Sequence, residues 1–196
     1  MDSAGFHIPV LAEEVMGYFA DIPGGTVVDG TAGNGGHSEA LLLRNTKISL
    51  TALDKDPAAV AATRERLHRF GSRAQILQKG FEELPAIIAE LGIGALSGVL
   101  LDLGLSSRQI DDPERGFSFS RSGPLDMRFN GTAGISAKSI VNGYPEQRLR
   151  AIFLTFGEEP RSAAIARAIV LKRKESPIET TGQLAAIIIS VCGNQV

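Results

Sequence analysis

The chain of 196 residues is 43% hydrophobic and 21% charged, a soluble globular balance with length enough to bury a sizeable core. It holds no apolar run of about eighteen residues and no signal-peptide pattern at its start; its one cysteine, Cys192, excludes an internal disulfide and a cysteine-built metal cage. The net charge of −2 divides unevenly, with 8 basic against 13 acidic side chains in residues 1–105 and 12 against 9 in residues 106–196. The later, basic part suits a polyanion or simply a solvated helical surface. A cytoplasmic protein with no membrane association and no metal is expected.

Four short apolar runs recur at regular intervals: TVVDG (26–30), ISLTALD (48–54), AQILQKG (74–80) and SGVLLDLG (97–104). Helical patterns lie between them. In DPAAVAATRERLHRF, Asp56 is placed as N-cap and Pro57 at the first helical position, with Val60, Leu67 and Phe70 on one face. FEELPAIIAELG carries Leu84, Ile87, Ile88 and Leu91 at helical spacing. Such alternation, with nearly continuous apolar strands, predicts a parallel sheet covered on both faces, an α/β fold. Residues 105–135, rich in Ser, Gly, Asp and Arg, have no sustained period and read as a long loop, ordered or disordered. From Ser136 the chain turns helical through PEQRLRAIFLTFG, PRSAAIARAIVLKRK and TTGQLAAIIISV, the last expected as a buried helix.

The turn after the first strand, DGTAGNGGHS, places Gly30, Gly33, Gly35 and Gly36 within seven residues. A strand, a glycine turn and a helix N-terminus together form a nucleotide-type site, because unpaired N–H groups and bare backbone can meet a ligand closely. No Gly-Lys-Ser/Thr is present for a P-loop, and Ser38 stands at the third glycine position of the dinucleotide fingerprint. Asp54, closing the second strand, is the residue type that accepts hydrogen bonds from ribose hydroxyls. The set favours one adenosine without a pyrophosphate, hence S-adenosylmethionine ahead of a nicotinamide cofactor.

Asp29, Asp54, Phe81 and Asp102 all follow strand ends and should converge beyond the carboxyl edge of the sheet. Phe81 is suited either to adenine packing or to the core. Methyl transfer to cytosine C5 requires a cysteine nucleophile, and Cys192 reads as a small core residue instead. Transfer to an exocyclic amine requires only an acceptor for its hydrogen, and Asp102 is of that type and in that place.

HIPVLAEEV, VDGTAGNGGHS, ALDKDP, LLDLGLSS with the following Gln109 and IDD, RGFSF, GPLDMR and the FGEE and IARAIV stretches together resemble the MraW family, in order across essentially the whole chain. The resemblance implies a Rossmann-like methyltransferase core in residues 1–105 and an inserted helical substrate-recognition domain in 106–196. It implies methylation of N4 of a cytidine in the decoding centre of 16S rRNA, with the small ribosomal subunit as partner. Cofactor contacts then fall on Gly35, Gly36, His37, Asp54, Phe81, Asp102 and Gln109, with Asp102 also as catalytic residue. His37 enters through the resemblance alone. The loop that interleaves Arg115, Arg121 and Arg128 with Phe117, Phe119 and Phe129 becomes a wall of the cytidine pocket.

Family members continue beyond SVCGNQV with further strands. The VLLDLG strand is therefore expected at a sheet edge, leading this chain to pair with another copy or to be aggregation-prone, with weakened activity. The rival reading is a truncated, non-catalytic remnant that binds cofactor or RNA without turnover.

Overall fold

The computed structural model describes residues 11–193. The start of the chain, including residues 7–10 of the HIPVLAEEV motif, and residues 194–196 of its end lie outside them. The chain divides after Gly104 into two compact units, Met1–Gly104 and Leu105–Val196.

The first unit is an α/β layer structure. Strands β1 (Gly25–Asp29), β2 (Ile48–Leu53), β3 (Ala74–Leu77) and β4 (Leu96–Leu100) form one parallel sheet in the order β3-β2-β1-β4. This is the Rossmann-like core expected from the sequence. Because successive strand residues point to opposite faces, neighbours in one strand enter different cores. Val27, Leu50 and Ala52 pack with Met16 of α1 (Ala12–Tyr18), Leu41 and Leu42 of α2 (Gly36–Arg44) and Leu67 of α3 (Pro57–Leu67). Val28 and Leu53 pack on the other face with Ile87 of α4 (Leu84–Glu90). The two central strands thus send apolar side chains to both faces, as a doubly covered parallel sheet requires.

Local signals set several boundaries. Asp56 caps α3, its side chain accepting from the Ala58 N–H, and Pro57 occupies the first turn where its missing N–H costs nothing. The expected helical run through Phe70 breaks at Leu67 and continues as a 3-10 turn, His68–Arg73. Strands three and four are shorter than their apolar runs. The last ladder bond of β4 goes from the Gly30 N–H to the Leu100 carbonyl, so Asp102 lies beyond the strand rather than at its end. Within the described residues β4 is an edge strand, with Val99 and Leu101 exposed.

In the second unit, residues 105–135 are more structured than their composition suggested. They contain helix α5 (Ser107–Asp111), a 3-10 turn (Pro113–Arg115) and a return that is tied down by backbone bonds. The Met127 N–H donates to the Arg115 carbonyl, and Leu125 N–H to that of Glu179. A side chain on Gly123 would collide with the Pro113 backbone, so this close approach requires glycine. Helices α6 (Ala137–Gly143), α7 (Glu146–Thr155), α8 (Ser162–Glu175) and α9 (Thr181–Cys192) follow. Their core gathers Val141, Leu149, Ile165, Ala166, Ile169 and Ile178 around Leu125, which is delivered from the loop. The expected burial of α9 is corrected here. The segment is helical, but Leu184, Ile187, Ile188 and Val191 are half-buried against that core and Ile189 is exposed.

Since Leu125 is 2% exposed within a helical cluster, Leu125→Ala should destabilise the second unit by about 2–5 kcal/mol, the range for leucine truncation in a core. Urea unfolding followed by helical circular dichroism measures the loss.

Candidate functional site at the carboxyl edge of the sheet

The glycine turn leaves β1 at its carboxyl end, between β2 and β4, where the strand order reverses. Open α/β sheets bind ligands at such a switch point. Asp29, the last residue of β1, is fully buried, and both its oxygens are engaged by the turn: one accepts the Thr31 N–H at 3.1 Å, the other the Ser38 hydroxyl at 2.6 Å. Ser38, the residue that departs from the dinucleotide fingerprint, is therefore an internal brace. Burial pushes the Asp29 carboxyl above its ordinary value, and the Ser38 and Thr31 donors pull against that shift.

The middle of the turn is held by two further elements. The Gly33 N–H donates to the Asp54 carboxylate at 2.9 Å, and the Gly33 carbonyl accepts from the buried Thr63 hydroxyl of α3 at 2.8 Å. Gly33 and Gly35 have φ of 53° and 74°, the left-handed region that glycine enters without strain. A side chain on Gly35 would come within 3.2 Å of the Thr63 methyl, so the turn is moulded directly on α3. Its glycines thus answer to chain geometry as well as to any ligand. Gly36 opens α2, whose first-turn N–H groups face the same edge.

Asp54 follows β2. Beyond Gly33 it accepts the Asp56 N–H at 2.9 Å, which fixes its side chain, and it remains half-buried. Burial raises its carboxyl from the ordinary value, against the pull of the Asp56 and Gly33 donors. Phe81 heads a 3-10 turn after β3, is 41% exposed and belongs to none of the buried clusters of the described residues. Its Cβ and the Leu101 side chain close over Gly30, leaving no room for a side chain there. Core packing is therefore not its part. Beside it Lys55 pairs with Glu82 at 2.5 Å, which holds the Glu82 carboxyl below its ordinary value.

Asp102 follows β4 with its side chain 60% exposed, and its N–H donates to the Thr31 hydroxyl at 2.7 Å. His37, the second residue of α2, is 8% exposed; its Nε2 stands 3.8 Å from an Asp102 oxygen. Its Nδ1 is buried and has no hydrogen-bond partner among the described residues. Gly35, Gly36, His37, Asp54, Phe81 and Asp102 are thus all at this edge. Gln109 belongs to the other unit, where it closes a capping box with Ser106 at the start of α5. Sequence pattern does not point to Thr31, Ser38 and Thr63 as braces of the site, because a hydroxyl that braces a turn leaves no spacing pattern.

In the second unit the Arg and Phe side chains of the loop are largely used internally. Arg128 forks onto Asp126 at 2.8 and 2.6 Å and holds that carboxyl below its ordinary value. The Arg115 guanidinium donates to the Phe129 carbonyl at 2.7 Å, and the Phe117 and Phe129 rings lie 5.5 Å apart. Phe119 is exposed.

A parallel α/β sheet with a braced glycine turn, a carboxylate after the next strand and a second one across the switch point defines a Rossmann-like α/β fold of the methyltransferase type. The chain belongs to the MraW methylase family, whose model matches residues 4–195. It is 50% identical over 186 residues to the ribosomal RNA small subunit methyltransferase H of Methylobacterium sp. (strain 4-46), and 44% identical over 186 residues to that of Granulibacter bethesdensis. These alignments cover 94% and 95% of this chain and 55% of each relative. The chain therefore spans about half the length of the curated relatives it matches. A crystallised rRNA methylase from Streptococcus thermophilus aligns with 42% of this chain and 50% of its own, at 24% identity and a TM-score of 0.35.

A buried carboxyl whose value is raised on folding holds its proton more tightly in the folded state. Its contribution is complete below the unfolded value of about 4 and is lost as pH rises through the folded value. Asp29→Asn removes that loss, since asparagine can still accept from Thr31 and meet Ser38. Its urea midpoint, measured relative to the parent protein, should rise between pH 4 and pH 7; a difference independent of pH would count against a raised Asp29.

Proposed function

We propose that this chain carries the cofactor site and the amine acceptor of an S-adenosylmethionine-dependent methyltransferase that modifies N4 of a cytidine in 16S rRNA of the small ribosomal subunit, in the cytoplasm. The observation that carries the reading is the grouping of the glycine turn, Asp54 and Asp102 at one switch point. Among the described residues no helix is long and apolar enough to cross a membrane.

The residues present fit the cofactor. The first-turn N–H groups of α2 are donors suited to its amino-acid end, the buried Nδ1 of His37 lies unpartnered at the same helix start, and Gly35 and Gly36 carry no side chain to cover the backbone. Asp54, acceptor-only when ionised, meets the ribose hydroxyls, and exposed Phe81 offers a ring to the adenine. When bound, S-adenosylmethionine supplies an electrophilic methyl group on a sulfonium. Asp102 accepts an N–H of the target amine, turns the nitrogen lone pair toward that methyl and takes up the proton that the amine releases. Its exposed carboxylate keeps an acceptor free for this, since its backbone N–H and not its side chain makes the bond to Thr31.

In the second unit, the Arg115–Phe129 loop serves substrate recognition, with Phe119 offered to an unpaired base. Self-association along the exposed β4 edge belongs to the same reading.

Radiolabelled methyl transfer to small subunits lacking the modification, followed by nucleoside analysis, tests the whole. Labelled N4-methylcytidine supports it, whereas cofactor binding without transfer favours the non-catalytic alternative for this chain. Asp54→Ala should weaken S-adenosylhomocysteine binding by roughly 2–4 kcal/mol, the worth of two charge-assisted bonds. Calorimetry on the folded variant measures it, and unchanged affinity removes Asp54 from the ribose site.

A further inference from the structure

The switch point between β1 and β4 is bridged by a backbone-to-side-chain hydrogen bond. Thr31 lies in the glycine turn, where its own N–H donates to Asp29. Its hydroxyl oxygen accepts the Asp102 N–H at 2.7 Å, across 71 residues of chain. From the same turn, His37 brings Nε2 to 3.8 Å from the Asp102 carboxylate. Asp102 is otherwise exposed and lies past the last ladder bond of its strand. Beyond this bond the segment after Leu100 runs through Gly104 and the exposed Leu101, Leu103 and Leu105.

We infer that Thr31 is a positioning residue for Asp102: the turn that receives the methyl donor also fixes the acceptor of the target amine. Donor and acceptor then share one rigid frame, which is the condition for in-line transfer without further rearrangement. The inference rests on the reading of Asp102 given above. The brace itself can be tested apart from that reading.

Thr31→Val keeps the shape of the side chain and removes the acceptor; Thr31→Ser keeps the acceptor. The readout is hydrogen exchange at the Asp102 amide, followed by NMR on the protein without cofactor and again with S-adenosylhomocysteine. In the valine variant this amide should exchange about tenfold faster, the factor one lost hydrogen bond carries, while in the serine variant it remains protected. Added S-adenosylhomocysteine should slow the exchange further in the parent protein and in Thr31→Ser but not in Thr31→Val. Affinity for S-adenosylhomocysteine should stay within about threefold in both variants, as for a change that removes no ligand contact.

Equal protection in the two variants overturns the brace, and so does an Asp102 amide that exchanges freely in the parent protein, a result available even if Thr31→Val fails to fold. A large loss of affinity in Thr31→Val alone assigns its hydroxyl to the ligand and also overturns it. Failure of the parent protein to bind S-adenosylhomocysteine sinks the cofactor reading instead, while exchange in the unliganded protein still decides the brace.

Discussion

One residue, Gly33, organises the first unit. The Gly33 N–H is held by a carboxylate after β2 and its carbonyl by a hydroxyl on α3, so the turn after β1 cannot move without pulling on two neighbouring elements. Around that point the other bonds follow: Ala32 N–H to the Leu53 carbonyl, Gly35 N–H to Ala32, Ser38 to Asp29, and Asp102 to Thr31. Each is a modest interaction on its own. Together they tie the ends of β1, β2 and β4 into one surface before any ligand arrives. Preorganisation of this kind spares binding the cost of ordering a loop.

This arrangement changes what the conspicuous residues mean. Asp54 reads in the sequence as a ligand for ribose, yet it also shapes the turn that would hold the rest of the cofactor. The glycines read as ligand clearance, yet a side chain on Gly35 would crowd Thr63, and Gly33 and Gly35 both hold the left-handed conformation that favours glycine. Structural and binding demands fall on the same atoms, and a substitution at either position disturbs both. Asp29 shows the tension most plainly. It is a fully buried acid whose desolvation is tolerated for the sake of two donors that fold the turn back on itself.

How much of this was legible follows from the kind of signal each feature leaves. Apolar periodicity exposed the four strands and the helices after Ser136, because burial repeats along the chain. Asp56 and Pro57 marked the start of α3 through local chemistry alone. Strand ends are not legible at β3 and β4, since the run of residues that reads as strand continues where the ladder has already stopped. The 105–135 segment defeated pattern reading for a different reason. Its order comes from long-range backbone bonds, such as Leu125 to Glu179, that carry no sequence period. In the site, acids and glycines announced themselves by type, whereas Thr31, Ser38 and Thr63 did not. His37 is intermediate: its family resemblance pointed to it, and only the fold revealed an imidazole nitrogen buried without a partner.

The loop around Gly123 has a consequence for how the second unit meets a protease. By composition, the stretch with Arg115, Arg121 and Arg128 resembles a linker that trypsin-like enzymes would cut first. Cleavage, however, requires several residues of backbone to leave the surface and lie extended in the enzyme's groove. Here the Arg115 carbonyl accepts from Met127, the Arg121 carbonyl from the Thr181 hydroxyl, and the Arg128 carbonyl from the Arg115 guanidinium. Each scissile bond is thus anchored by its own oxygen. Nicking there would report the opening of the Leu125 anchor from the helical core, which makes the segment a gauge of local unfolding.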